Sequence, residues 1–136
     1  MSTPVPTFDA PLALGPQIEA RGNHPEVAGR VLLRHGDRSF TYRQFRDESV
    51  RTAHFLLRRL GQIDDARPGH VAMMLENHLE LLSLYGGCAY AGLTLFGVNT
   101  GLRGETLAGV LNQSRARILV VDQRLQAEVE RVKKEL

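Results

Sequence analysis

From residue 70 onward the chain alternates short apolar runs with longer stretches of helical periodicity, and that alternation limits the fold more than any other feature. Val71-Ala72-Met73-Met74-Leu75 follows Pro68-Gly69 and carries no charged or strongly hydrogen-bonding side chain. A five-residue run of this kind reads as a strand buried on both faces, because a half-exposed strand would alternate apolar with polar. Thr94-Leu95-Phe96-Gly97-Val98 and Arg117-Ile118-Leu119-Val120-Val121 read as the next two strands. Between them, Asn77 with Glu80 offers a cap to an apolar helix that runs to about Ala91 and stops at Gly92; Glu105 to Ser114 reads as a second helix. Asp122 caps a last helix, in which Leu125, Val129, Val132 and Leu136 fall on one stripe and Glu130 precedes Lys134 by one turn. Strands alternating with helices predict an α/β fold: β-α-β-α-β-α around a parallel sheet with right-handed crossovers.

Upstream, Val31 to His35 and Arg38 to Tyr42 flank Gly36-Asp37, a two-residue turn signal, and predict a β-hairpin. The second strand runs straight into a helix. Thr41 and Gln44 have capping-box spacing, Phe45, Ser49, Ala53, Leu56 and Leu60 recur at helical intervals, and Gly61 supplies the stop. The hairpin and this helix are expected to pack against the sheet. Pro4, Pro6, Pro11, Pro16 and Pro25 crowd the start of the chain, so residues 1–25 are expected to form an extended arm, with a short helical stretch ending near Asn23-His24-Pro25. The ordered domain is then 26–136.

The totals exclude several classes. A chain of 136 residues suits one domain, and 43% hydrophobic with 24% charged residues is globular composition. A net charge of +2, with arginines dispersed and no aromatic platforms beside Arg58-Arg59 or Arg115 and Arg117, gives no support for nucleic acid; solvated helix and strand ends explain those pairs. Cys88 is the only cysteine and cannot form an internal disulfide, which points to a reducing cytoplasm. The first residues have neither a basic n-region nor an apolar h-region, and no stretch approaches a membrane span of ~20 apolar residues.

Candidate chemistry is sparse. His24, His35, His54, His70 and His78 are scattered singly, without metal-ligand spacing, and read as surface or capping groups. Cys88 sits mid-helix among small residues and reads as a buried structural thiol, not a nucleophile. Its neighbours Gly86 and Gly87 weaken a helix, and the expected return is a close approach of the helix backbone to another element. Gly101-Leu102-Arg103-Gly104-Glu105 lies between a strand and a helix, the right place for an anion. It lacks both dinucleotide and P-loop patterns, so the expectation is an ordinary βα turn with Arg103 facing solvent or pairing with a neighbour.

The ordered set of segments resembles the AMP-forming acyl-CoA synthetases of the adenylate-forming superfamily. Phe40-Thr41-Tyr42-Arg43-Gln44-Phe45 resembles that family's (Y/F)TY-x-(E/Q)-(L/F) segment, and Pro68 to Asn77 its GD-x-VA-x-x-x-x-N segment. Leu84 to Gly92 is similar to its Y-x-G-x-x-x-A-G helix ending, and Ser114 to Val120 to S-x-A-x-x-L-(I/V). The resemblance covers about residues 30–136. His70 stands where many relatives have Asp. Asn99 to Glu105 is most similar to the N-x-x-LRG-x-x-L of the fatty-acid transport and very-long-chain branch, although many relatives place a capping Thr where this chain has Arg103.

The resemblance implies a parent enzyme that uses ATP, Mg²⁺ and CoA to activate a fatty acid or other carboxylic acid, first as an acyl-adenylate and then as a thioester. It implies that 26–136 is the opening part of a larger adenylating domain, ending before the Ser/Thr/Gly-rich phosphate loop. No catalytic, cofactor-binding or metal-binding residue is therefore carried over, and the 136-residue chain is expected to be inactive. A carnitine-type or aryl-acid CoA ligase, or a stand-alone α/β interaction module, are the alternatives. The further expectations are no nucleic-acid partner, a cytoplasmic location with peripheral membrane association open for the parent, and homodimerisation through an exposed sheet edge or face.

Overall fold

A computed structural model describes residues 11–136. The first element is a helix, α1 (Leu14–Asn23). The extended arm expected over 1–25 thus gives way to helix at Leu14, with residues 1–10 outside the described part, and the helix ends at Asn23, just before His24-Pro25. Pro16 does not prevent this helix, because it sits in the first turn, where a backbone N–H has no intrahelical acceptor.

The hairpin forms as β1 (Val31–His35) and β2 (Arg38–Thr41), antiparallel, with His35 opposite Arg38 and Gly36 at φ 57° in the turn. A register shift between Val31 and Leu33 puts both Leu32 and Leu33 partly inside. Thr41 then caps α2 (Tyr42–Leu60): its Oγ1 accepts from Gln44 N–H at 3.1 Å, and Gln44 Oε1 accepts from Thr41 N–H at 2.9 Å. This reciprocal pair satisfies two donors that the helix start leaves open. The five residues at helical spacing, Phe45, Ser49, Ala53, Leu56 and Leu60, are the buried ones, and Gly61 ends the helix at φ 62°.

The second half is β3 (His70–Met74), α3 (Leu79–Ala91), β4 (Thr94–Gly97), α4 (Gly104–Ser114), β5 (Ile118–Val121), a 3₁₀ turn (Gln123–Leu125) and α5 (Gln126–Val132). The sheet is parallel with order β4-β3-β5. β3 is buried from Val71 to Met74, as an unbroken apolar run requires when helices cover both faces. On one face Val71 and Met73 pack with Leu56 and Leu60 of α2 and Leu84 and Cys88 of α3. On the other, Ala72 and Met74 pack with Leu107, Ala108 and Leu111 of α4 and with Leu125 and Val132. The strand's period of two sorts its side chains into two separate cores.

Three local expectations are corrected. The α3 N-cap is His78, with no side-chain cap bond, and not Asn77. Glu80, expected to close that cap, instead pairs with Arg38 of the hairpin at 2.7 Å and with His78 Nδ1 at 3.1 Å; a charged partner outcompetes a backbone donor. Of the hairpin and helix expected to pack against the sheet, α2 does so, whereas the hairpin packs mainly on α2 and α3. At the end of the chain Asp122 caps the 3₁₀ turn, accepting from Arg124 N–H at 3.0 Å, Leu136 is exposed, and Glu130 pairs with Lys133 at 3.3 Å and not with Lys134.

Candidate functional site

Parallel sheets present ligand sites at the carboxyl ends of their strands, above all where the chain reverses direction across the sheet. Here β3 leads through α3 to β4 on one side, and β4 leads through α4 to β5 on the other. The reversal point therefore lies between β3 and β5, where Glu76 meets Arg124 beside Asp122. Asp122 N–H donates to Met74 O at 3.0 Å, so the two strand ends are closed together. Arg124 spans the gap, with Nη2 2.5 Å from Glu76 Oε2 and Nε 3.4 Å from Asp122 Oδ1. The Arg124 N–H, followed by the Arg124 guanidinium, holds the Asp122 carboxyl below the usual carboxylate range.

The turn after β4 is closed in the same way. Asn99 Oδ1 accepts from Gly101 N–H at 2.7 Å. Arg103 Nη1 donates to the Thr100 and Leu102 carbonyls at 2.7 Å each, and Arg103 Nε lies 3.5 Å from Glu128. Arg103 thus pairs with neighbours, one of the two orientations expected for it, and its donors face the turn's own carbonyls. At the carboxyl end of the sheet Arg103 and Arg124 are thus engaged by carbonyls and carboxylates of this fold.

An apolar hollow lies elsewhere. A groove of about 600 Å³ runs between α1, the hairpin, α2 and α3, with Leu14, Ile18, Leu33, Phe45, Leu82 and Tyr85 in its walls. Gln17 and Arg21 stand along its α1 side, Leu32 completes the hairpin side, and Tyr42 joins Phe45 from α2. A smaller hollow of about 180 Å³ adjoins it through Leu33 and Leu82 and brings Arg34, His35, Asn77 and His78 together. The sequence holds no local signal for this groove, because its walls come from four elements, with α3 brought back against α1, β1 and α2.

Of the remaining candidates, Cys88 is buried on the sheet face of α3, and burial pushes its thiol up to about 11. The thiol is a core group with no nucleophilic role in this arrangement. Native protein at pH 8 is expected to resist a disulfide reagent and to react once unfolded. The raised value means that the folded state keeps its proton where an unfolded thiol, near 9, has lost it. This contribution to stability is intact below pH 9 and falls away as pH rises toward 11. Denaturant titrations at pH 8 and pH 10.5 should show a smaller loss in Cys88→Ala than in the parent chain.

His35 and His78 line one hollow, and His70 and His24 have separate partners. His70 Nδ1 lies 2.7 Å from Ser114 O and its ring tilts against Phe96, while His24 Nδ1 accepts from Glu26 N–H at 3.2 Å. Among the described residues no three His, Cys, Asp or Glu side chains form a group that could hold a metal. Arg117, read from sequence as a solvated strand end, is a clamp: its guanidinium donates to the Leu60, Gln62 and Arg67 carbonyls and fixes the loop leading into β3. Arg115 reaches Asp65 O at 3.2 Å from the same side. Tyr90 of α3 donates to Glu19 of α1, and burial followed by this carboxylate raises its phenol. Arg46 ties Asp47 and Asn23 into the same network.

A family model described as AMP-binding enzyme matches residues 17–136. The chain belongs to that family. Among solved structures, the chain is similar to an anthranilate CoA ligase solved with anthranoyl-AMP, at 26% identity and a TM-score of 0.76, over 88% of this chain and 22% of that one. A protein described as a long-chain-fatty-acid CoA ligase from Rhodopseudomonas palustris gives 23% identity and a TM-score of 0.80, over 92% and 30%. A benzoate CoA ligase from Burkholderia xenovorans gives 22% and 0.72, over 82% and 22%. The three-stranded parallel sheet with its flanking helices matches the N-terminal domain of these adenylating enzymes. The chain spans between about a fifth and a third of their length. No helix among the described residues is long and apolar enough to cross a membrane.

Proposed function

We propose that this AMP-binding family chain is the N-terminal scaffold of a larger acid–thiol ligase, one that activates a fatty acid with ATP and passes it to CoA, and that the 136-residue chain has no turnover of its own. The observation carrying this reading is the family match over 17–136 combined with a strand-end region whose cations are all engaged within the fold. In the parent reaction a carboxylate oxygen attacks the α-phosphorus of ATP, pyrophosphate leaves, and the CoA thiol then displaces AMP from the acyl carbon. Mg²⁺ offsets the phosphate charge. At the strand ends of this chain Arg124 faces Glu76 and Asp122, and Arg103 faces its own turn. What 26–136 contributes is a rigid sheet, clamped by Arg117, on which other segments can hold the reacting groups.

The fatty-acid preference rests on the Asn99-to-Glu105 segment. An aryl acid is the second reading, supported by the anthranilate and benzoate ligases among the structural relatives. Incubation of the 136-residue chain with ATP, CoA and palmitate should release no AMP; release of AMP would sink the scaffold reading. A longer product of the same gene should form palmitoyl-CoA well ahead of benzoyl- or anthraniloyl-CoA, and the reverse order would move the assignment to aryl acids.

Self-association belongs to the same proposal. β4 and β5 each pair only with β3, so each keeps one open edge among the described residues. Light scattering should give a mass that rises from monomer toward dimer with concentration. A monomer mass at every concentration would remove the sheet edges as an interface.

A further inference from the structure

The apolar groove between α1, the hairpin, α2 and α3 has no role in the scaffold reading. We propose that it binds a single-chain amphiphile with an anionic head, the chain lying in the groove and the head in the smaller hollow beside it, next to Arg34.

The first support is size and lining. About 600 Å³ falls inside the ~300–1,000 Å³ range of small-molecule sites, which are mostly apolar with a few placed polar groups. Ile18 and Phe45 are buried groove-wall residues, while Leu14 is 51% and Tyr85 44% exposed, so apolar surface continues from the core out to solvent. The hollow of about 180 Å³ shares Leu33 and Leu82 with the groove. Those two side chains are where the apolar and polar parts of one ligand would meet.

The second support is charge. Arg21 and Arg34 are the guanidinium groups of the two linings, and neither lining contains a carboxylate. Glu80, close by in sequence, is turned to Arg38 at 2.7 Å and to His78 Nδ1 at 3.1 Å. Arg34 has no hydrogen-bond or ion-pair partner among the described residues. Asn77, whose amide can donate, lines the same hollow. A cation without an internal partner beside apolar surface favours an anion carried on an apolar body over a cationic one.

The third support is rigidity. α1, which makes one wall, is seated directly on α3: a β-carbon on Gly15 would lie 2.9 Å from Ala89 O, and Tyr90 of α3 donates to Glu19. The wall is therefore in place before a ligand arrives, which limits the ordering cost of binding. A second copy of the chain and a membrane surface are the rival occupants. A hollow of bounded volume with its cation at one end suits a single free molecule better than either, and the test separates them.

The probe is decyl sulfate, titrated into the full 136-residue chain below the concentration at which it forms micelles. It has no carboxylate to activate, so the result is independent of the turnover assay. Amide chemical shifts should move saturably in residues 14–21, 31–35 and 78–85 and stay in place in β5. Arg34→Gln should weaken binding roughly fivefold, the scale of one exposed charge pair, and decyltrimethylammonium should bind the parent chain more weakly still. Arg34 is exposed, so its substitution leaves the packing intact. Arg58→Gln, outside both linings, should match the parent chain. Equal affinity for the two head groups, shifts spread over the whole chain, or no saturable shift would each overturn the proposal. Binding that weakens as protein concentration rises would assign the groove to a second copy instead. Capture of the chain by phosphatidylglycerol vesicles without binding of free decyl sulfate would assign it to a membrane surface.

Discussion

Gly86→Ala should destabilise the fold, and Gly109→Ala should stabilise it, although both glycines sit inside helices. A β-carbon on Gly86 would lie 1.9 Å from Ser49 Oγ and 2.7 Å from Ser49 Cβ, in the buried contact between α3 and α2. Ser49 is fully buried and its hydroxyl donates to Phe45 O at 2.7 Å, so rotating the hydroxyl away breaks a bond and still leaves the Cβ clash. The two helices must separate, which costs about 3 kcal/mol at the upper end of overpacking effects. Alanine's better helix propensity returns ~1 kcal/mol, so the net loss is about 2 kcal/mol. Gly109 is exposed on α4 with nothing within 4 Å of its virtual β-carbon. There only the propensity gain remains, ~0.5–1 kcal/mol. Urea titrations of both variants measure the opposite signs, and Ser49→Gly combined with Gly86→Ala should recover part of the first loss by opening the space the new methyl needs.

Leu56→Ala is expected to have the larger effect, a loss of about 3–4 kcal/mol. Leu56 is fully buried where α2, α3 and the sheet meet, in contact with the cluster of Val71, Met73, Leu84 and Cys88. Its deletion leaves a void that close-packed helices and a paired strand cannot collapse to fill. Leu57, the next residue, is 40% exposed, and Leu57→Ala should stay within about 0.5 kcal/mol of the parent. An unchanged denaturant slope in both variants would confirm that the loss belongs to the native packing and not to a more compact unfolded state. A Leu56→Ala loss under 1 kcal/mol would contradict the two-core description.

The elements that could be read from the sequence are those whose signal is local. The hairpin needs only Gly36 between two short runs, the α2 start only Thr41 and Gln44, and its buried face only the spacing of Phe45 to Leu60. The buried strand needed nothing beyond the unbroken run Val71 to Met74. What escaped depends on partners distant in sequence. Glu80 fits a cap for α3 by spacing, but Arg38 arrives from the hairpin, 42 positions away, and takes the carboxylate. Arg117 looks solvated until the chain brings three carbonyls of the loop before β3 within its reach. The paired glycines were legible as a close approach, yet only the fold shows that Ser49 and Thr52 of α2 are what they approach. The groove needs four elements at once and has no one-dimensional trace.

The strand order also carries a consequence in time. β3 is central, and both its partners follow it in the chain: β4 pairs through residue 97, while β5 pairs with Met74 only when Val121 exists. At translation rates of roughly 5–20 residues per second, one edge of the most buried strand waits several seconds for its neighbour. During that interval α2, already made, can cover the Val71 and Met73 face, but the Ala72 and Met74 face has no cover until α4 follows. A growing chain of this design therefore passes through a stage in which half its final core is a sticky surface. Slowing synthesis after β4 would lengthen that stage, whereas slowing it after Leu136 would leave it unchanged.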